Sequence, residues 1–231
     1  MNKEAGKKKA AEEAAKYAER GMTLGLGTGS TAKYFIELLG ARVAEGWPLR
    51  GVPTSEQTRH LAERAGIEII NPDETTIIDL AVDGTDEADP QLNLIKGGGG
   101  ALLREKIVAN AARRFIIIAD KSKRVAALGA FPLPIEIDAF AFGLTVKNIR
   151  AALSGLGFGE TSLELRASEG APVRTDGGNL IIDCALGRIE DPKTLEAALG
   201  EIPGIIETGL FCSLADIVIF GDEDGVTIDK A

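Results

Sequence analysis

Lys96 to Lys106 reads KGGGGALLREK, with four consecutive glycines between a lysine and a stretch of helical periodicity. Glycine loses more backbone freedom on folding than any other residue, so an ordered run of four requires a cause. Either the run is a flexible linker, or a ligand approaches the bare backbone. In the second case the N–H groups of Gly97, Gly98 and Gly99 and the Lys96 ammonium can serve an anion or a developing oxyanion. GLGTGSTA (25–32) is a glycine turn between an apolar run and a helix. Amides at a helix N-terminus suit phosphate or carboxylate, and Ser30 and Thr31 add hydroxyls. Its glycines at 25, 27 and 29, followed by Ser30, match neither the dinucleotide fingerprint nor a P-loop, leaving a capped tight turn as the alternative. DGTDEAD (83–89) holds Asp83, Asp86, Glu87 and Asp89. The spacing departs from that of a calcium loop. A solvated acidic turn is one reading. The other is carboxylates at the end of a strand, serving sugar hydroxyls as acceptors and acid/base groups. DKSK (120–123) places Lys123 after the apolar FIIIAD, as an anion contact or a surface lysine. Lys7, Lys8 and Lys9 have the same two readings. Arg104, Glu105 and Lys106, taken alone, read as a solvated helix face.

The elements that position these residues alternate. A helix is expected over 4–20, from its Ala, Glu and Lys content. MTLGLG (22–27) reads as a strand, and 30–46 as a helix capped by Ser30 or Thr31. LRGVPTS (49–55) and 55–66 repeat the order, with Gly66 at the helix end. Strands follow at 67–70 and 76–84, then a helix over 101–114 and a buried strand at 115–120. Strands alternating with helices imply a mostly parallel sheet covered on both faces, an α/β fold. Because the glycines join two elements of one array, a linker is disfavoured. Pro132 and Pro134 mark a boundary. Beyond it come a helix (145–157), two alternating strands (161–168 and 179–186) with the turn TDGG, and a helix (192–204), a compact α+β insertion. The segment 204–225 regains buried-strand composition and is expected to rejoin the first sheet. The expected units are residues 1–130 with 205–231, and residues 131–204. Loops after parallel strands share one edge of the sheet, so the four motifs converge on a site for a small, polyhydroxylated, phosphorylated molecule.

Bulk properties exclude other classes. The 231 residues are 45% hydrophobic, enough for a sizeable core, and 26 Lys plus Arg face 35 Asp plus Glu, for a net charge of −9. Nucleic acid and anionic membranes want the opposite balance. The charged N-terminal stretch lacks the apolar region of a secretory signal, and no run reaches the ~18 apolar residues of a membrane span. A cytoplasmic location follows as the expectation, with Cys184 and Cys212 as packed thiols. The single histidine, His60, offers little for a His-based metal site or triad.

GLGTGST, DGTDEAD, KGGGGALLREK, DKSK and the late GLF…DIVIFG, in this order, resemble ribose-5-phosphate isomerase of the A type, from about residue 5 to the C-terminus. The resemblance implies interconversion of ribose 5-phosphate and ribulose 5-phosphate without metal or cofactor. It implies a Rossmann-like domain with a smaller ferredoxin-like α+β domain, and a homo-oligomer, dimer or tetramer. It makes Glu105 the general base between C1 and C2. It assigns substrate contacts to Thr28, Gly29, Ser30 and Thr31, to Asp83, Gly84, Thr85 and Asp86, to Lys96, Gly97, Gly98 and Gly99, and to Lys123 and Lys7. Lys96 would stabilise oxyanions, and Asp83 or Asp86 would assist ring opening or move protons between hydroxyls.

Overall fold

A computed structural model describes residues 2–231. Helix α1 (Lys3–Ala15) is followed by β1 (Thr23–Leu26), α2 (Ser30–Ala44), β2 (Arg50–Pro53), α3 (Glu56–Arg64), β3 (Glu68–Ile69) and β4 (Leu80–Asp83). Two-residue strands β5 (Glu87–Ala88) and β6 (Leu94–Ile95) precede α4 (Leu102–Ala111) and β7 (Phe115–Asp120). Strand β8 (Leu133–Ile137), α5 (Phe142–Gly155), β9 (Ser162–Leu165), a small hairpin β10 (Ala167–Ser168) and β11 (Ala171–Pro172), β12 (Leu180–Ala185), α6 (Pro192–Gly200) and β13 (Ile205–Thr208) come next. The chain ends with β14 (Leu210–Phe211), β15 (Ile217–Gly221) and β16 (Val226–Lys230).

Seven strands form the main sheet in the order β16-β15-β7-β4-β1-β2-β3, parallel except for β16. Counting from β1, the chain first builds outward through β2 and β3. It then crosses back to β4 and builds the other way through β7 and β15. This is the Rossmann order, and its switch point lies between β1 and β4. A crevice opens there beyond the carboxyl ends of the strands, where the loops after β1 and β4 leave the sheet. Residues 115–120 and 217–221 are buried throughout, as strands covered on both faces must be.

The smaller unit follows β8-α5-β9-β12-α6-β13, with its four strands ordered β13-β8-β12-β9. Such a split βαβ arrangement is ferredoxin-like. It has its own core, including Leu133, Ile135, Ile149, Leu153, Ile182 and Leu199. Strand β8 runs through Pro134, inside the stretch whose prolines mark the boundary between the two units. The Pro134 carbonyl accepts the Gly209 N–H at 2.7 Å, just past the last residue of β13. The missing amide therefore faces the side where β13 has ended, and no ladder bond is lost. Return to the main sheet also comes later than expected: Ile205–Thr208 pairs with β8, and Ile217–Gly221 is the strand that rejoins β7.

Helix α1 ends at Ala15 rather than Arg20, because the chain must turn at Gly21 (φ 84°) to enter β1. Its buried stripe of Gly6, Ala10 and Ala14 lies against β7 and β15. A Cβ on Gly221 would come within 2.0 Å of the Gly6 carbonyl oxygen, so two bare backbones are in contact. That approach brings the first turns of α1 over the carboxyl end of the sheet.

Candidate active site

Asp83 ends the central strand β4 and is only 2% exposed. Its Oδ1 accepts the N–H groups of Gly84 (2.7 Å) and Thr28 (3.0 Å), joining the loops on either side of the crevice. Its Oδ2 forms an ion pair with Lys96 Nζ at 3.0 Å. Lys96 is 2% exposed and donates to the Gly84 carbonyl at 2.6 Å. The two-residue strands position it. β6 is flanked by β5 and β14, and the Lys96 N–H is held by the Gly209 carbonyl at 2.8 Å. The Phe211 ring lies 5.5 Å from the ammonium.

Glu105 occupies the first turn of α4, immediately after the glycines, and is 4% exposed. Its Oε2 is 3.4 Å from Lys96 Nζ, yet makes no hydrogen bond. One ammonium thus faces two buried carboxylates. Burial, and then the Asp83 charge, push the Glu105 carboxyl up to about 8, against the opposing pull of Lys96. Burial also raises Asp83, but Lys96 and the two backbone N–H donors favour its ionised form. Glu105 has no such donors.

A cavity of ≈ 270 Å³ opens above this trio. One wall is the loop after β1, Thr28 to Thr31. Gly29 occupies the cap position of α2 at φ 111°, a conformation side chains avoid, and no side chain caps the helix. Neither Ser30 nor Thr31 is the cap; the first amides of α2 are left without an internal acceptor, as an anion site requires. The Thr28 hydroxyl is bound by those of Thr54 (2.8 Å), Ser55 (2.8 Å) and Thr58 (3.1 Å). A second wall is Gly84, Thr85 and Asp86, and a third is Lys96 with Gly97, Gly98 and Gly99, leading to Glu105. Asp86 Oδ2 accepts the Gly98 N–H at 2.8 Å. Three of the four glycines are required by the backbone here: Gly97 has φ 99°, Gly100 has φ 77°, and a Cβ on Gly98 would sit 2.6 Å from Asp86 Oδ1. Lys7 and Lys123 also line the cavity.

Every residue expected at the site is thus part of this cavity except Asp83, which lies beneath it as the partner of Lys96. The Thr85 hydroxyl instead braces its own loop, 2.7 Å from the Glu87 carbonyl and 2.9 Å from that of Ile95. The acidic stretch divides. Glu87 binds the N–H groups of Gly129 and Phe131, and Asp89 folds its own turn through Asn93, so neither faces the cavity. Of the three adjacent lysines, Lys7 lines the cavity, Lys8 lies over the Tyr34 ring, and Lys9 donates to the Glu223 carbonyl. The Arg104–Lys106 run is no solvated face: Arg104 pairs with Glu56 and Asp176, and Lys106 with Glu196 and Glu207. His60 is exposed on α3 beside Glu63. Cys184 and Cys212 are free thiols.

Lys3 and Asp120 also line the cavity and were not anticipated. Lys3 falls at i−4 from Lys7 on one helical face, a spacing that signals a shared wall once Lys7 is placed. Among the described residues, no three or more His, Cys, Asp or Glu are grouped as a metal site, and no helix is long and apolar enough to cross a membrane.

Comparison with known proteins identifies relatives of the whole chain. Residues 50–225 match the profile of the family described as ribose 5-phosphate isomerase A (phosphoriboisomerase A). A protein named Ribose-5-phosphate isomerase A from Rhodopseudomonas palustris (strain TIE-1) is 51% identical over 233 residues, covering 100% of both chains. A solved D-ribose-5-phosphate isomerase in complex with phospho-erythronic acid superposes with a TM-score of 0.91 at 45% identity over 100% of both chains. The ribose 5-phosphate isomerase of Plasmodium falciparum gives 0.92 at 33% identity, covering 97% of this chain and 98% of its own. By profile, identity and fold, the chain belongs to the ribose 5-phosphate isomerase A family.

Proposed function

We propose that the chain interconverts D-ribose 5-phosphate and D-ribulose 5-phosphate, the non-oxidative exchange of the pentose phosphate pathway, through an enediolate with Glu105 as the base. The observation that carries this reading is the buried Glu105 carboxylate, whose Oε2 makes no hydrogen bond, beside one ammonium at the floor of a cavity whose walls suit a phosphate. The uncapped N-terminus of α2, with Lys3, Lys7 and Lys123, holds the phosphate dianion. The sugar chain then extends across the glycine loop toward Glu105. Asp86, which lines the cavity, accepts and returns hydroxyl protons as the furanose ring opens, while Asp83 beneath it holds Lys96 in place.

In the open aldose, Glu105 removes the C2 proton. The electron pair of the C–H bond forms the C1–C2 double bond, and the carbonyl electrons move onto O1. The Lys96 ammonium and a glycine-loop N–H stabilise that oxyanion. The O2 hydroxyl passes its proton to the O1 oxyanion, the C2 carbonyl forms, and the electron pair of the C1–C2 double bond takes the proton held by Glu105 at C1, which gives the ketose and restores the carboxylate. A carboxyl that titrates near 8 is matched to giving and taking a proton at neutral pH. A cavity of this size accommodates one pentose phosphate. The chain acts in the cytoplasm as a homo-oligomer, which sedimentation of the purified protein measures.

The test is purified protein incubated with ribose 5-phosphate, with ketose followed by its carbonyl absorbance. Turnover by the wild type and a loss of ~10²-fold or more in kcat for a folded Glu105→Gln variant support the assignment. Binding of the sugar phosphate without turnover would mark a sensor instead, and near-normal turnover in Glu105→Gln would remove Glu105 from the role.

A further inference from the structure

The cavity lining comes from α1, from α4 and from the loops after β1, β4, β6 and β7, and the smaller unit adds no residue to it; yet the Arg166 side chain of that unit reaches the tetraglycine. Arg166 follows β9, with its own backbone fixed by N–H donation to the Ile181 carbonyl (2.8 Å) and acceptance from the Val173 N–H (2.9 Å). Its guanidinium is oriented by a bidentate pair with Asp183, at 2.8 Å from Nε and 2.5 Å from Nη2. The remaining nitrogen, Nη1, donates to the Gly97 carbonyl at 2.7 Å and the Gly98 carbonyl at 3.2 Å. The side chain is 15% exposed and touches no part of the cavity surface.

In a trans peptide the C=O of one residue and the N–H of the next point in opposite directions, and no peptide bond among the described residues is cis. Holding the Gly97 and Gly98 carbonyls therefore aims the N–H groups of Gly98 and Gly99 away from the guanidinium. The Gly98 N–H meets Asp86 at 2.8 Å, while the Gly99 N–H has no acceptor among the described residues and belongs to a residue that lines the cavity. Four glycines in sequence have no side chains of their own to fix these peptide planes.

We propose that Arg166 is a positioning residue for the isomerisation: it fixes the glycine-loop peptides so that the Gly99 N–H is presented to the oxyanion formed at C1–C2. Asp183 holds the guanidinium fork in register. The proposal rests on the isomerase reading and adds to it a contribution from the smaller unit. A donor aimed at charge that develops only in the transition state changes kcat more than KM. A lysine in place of Arg166 cannot bind Asp183 through two nitrogens and reach both carbonyls, so it restores the effect only in part.

The experiment measures kcat and KM for ribose 5-phosphate in wild type, Arg166→Met and Arg166→Lys, together with melting curves. It also measures inhibition by phospho-erythronic acid, whose planar carboxylate carries two oxygens as an enediolate does. The expected result for Arg166→Met is a kcat lower by about 10- to 100-fold, the scale of losses through residues that orient catalytic groups, with KM within about 3-fold. Phospho-erythronic acid should then inhibit more weakly by at least about 10-fold, and Arg166→Lys should lie between the two. A folded Arg166→Met with unchanged kcat, or with a change confined to KM, overturns the proposal. If Arg166→Met does not fold, Arg166→Lys decides: full kcat and full inhibition in that variant also overturn it. Absence of turnover in the wild type would instead defeat the isomerase reading, whatever the variants do.

Discussion

Replacing Asp83 by asparagine should move the pH dependence of the reaction while leaving the site's shape in place. Asparagine is nearly isosteric and keeps an oxygen for the Thr28 and Gly84 N–H groups. What it removes is one negative charge. Asp83 and Glu105 both lie within 3.4 Å of the same Lys96 nitrogen, which bounds the separation of their near oxygens. At roughly 6 Å and an effective dielectric of ~20, the repulsion between two unit charges is about 3 kcal/mol, or about 2 pK units. Raising pH ionises Glu105, so a rate that needs its carboxylate rises through its pKa and then levels. In the wild type this limb of kcat/KM should be centred near the value of about 8 imposed by burial and Asp83. In Asp83→Asn it should move down to roughly 6, since Lys96 then serves Glu105 alone. The assay is initial rate against pH from 5 to 9, each variant normalised to its own plateau, so that a change in maximal rate does not enter. A midpoint within about half a unit of the wild type would refute the electrostatic coupling argued from this trio.

Other perturbations follow from the same geometry. Lys96→Met should abolish detectable turnover and destabilise the fold by ~3–5 kcal/mol at pH 8, where both carboxylates are left without a cation. The melting deficit should shrink toward pH 5, where Glu105 is protonated; a deficit equal at both pH values contradicts the charge argument. Lys7→Gln should raise KM by about 10-fold with kcat nearly unchanged, because a phosphate contact serves ground and transition states alike. A fall in kcat with constant KM would move Lys7 from binding to chemistry. Gly221→Ala, which drives a methyl into the Gly6 carbonyl, should destabilise by ~1–3 kcal/mol and raise KM by displacing α1. An unchanged melting temperature would mean that α1 is not seated through that contact.

Much of the site was readable because each motif joined a recognisable strand to a recognisable helix. The apolar run before Gly25 and the helical pattern after Ser30 place the anion loop at a strand's carboxyl end, and the apolar run before Asp83 does the same for the acidic loop. Register within those loops was not readable. Glu87 and Asp89 look like Asp83 and Asp86 in sequence, but β5 turns them away to hold Gly129, Phe131 and Asn93. Strands β5, β6 and β14 are two residues long, below the reach of any periodicity, yet they set the height of Lys96. Burial of the Arg104–Lys106 run depends on acids from α3, α6 and β13, separated from it by up to 101 residues. Arg166 was invisible for the same cause, since its partners Gly97 and Gly98 lie 69 and 68 residues away. Pro134 signalled an interruption, and only the end of β13 beside it lets the strand continue.

The most direct measurement is nuclear magnetic resonance of ribose 5-phosphate incubated with the protein in deuterium oxide. A proton carried by Glu105 exchanges with solvent before it is returned, so ribulose 5-phosphate should accumulate with deuterium at C1, and Glu105→Gln should form neither ketose nor label at a comparable rate. Ketose free of deuterium would indicate direct hydride transfer between C2 and C1, and labelled ketose from Glu105→Gln at the wild-type rate would give the proton to another group.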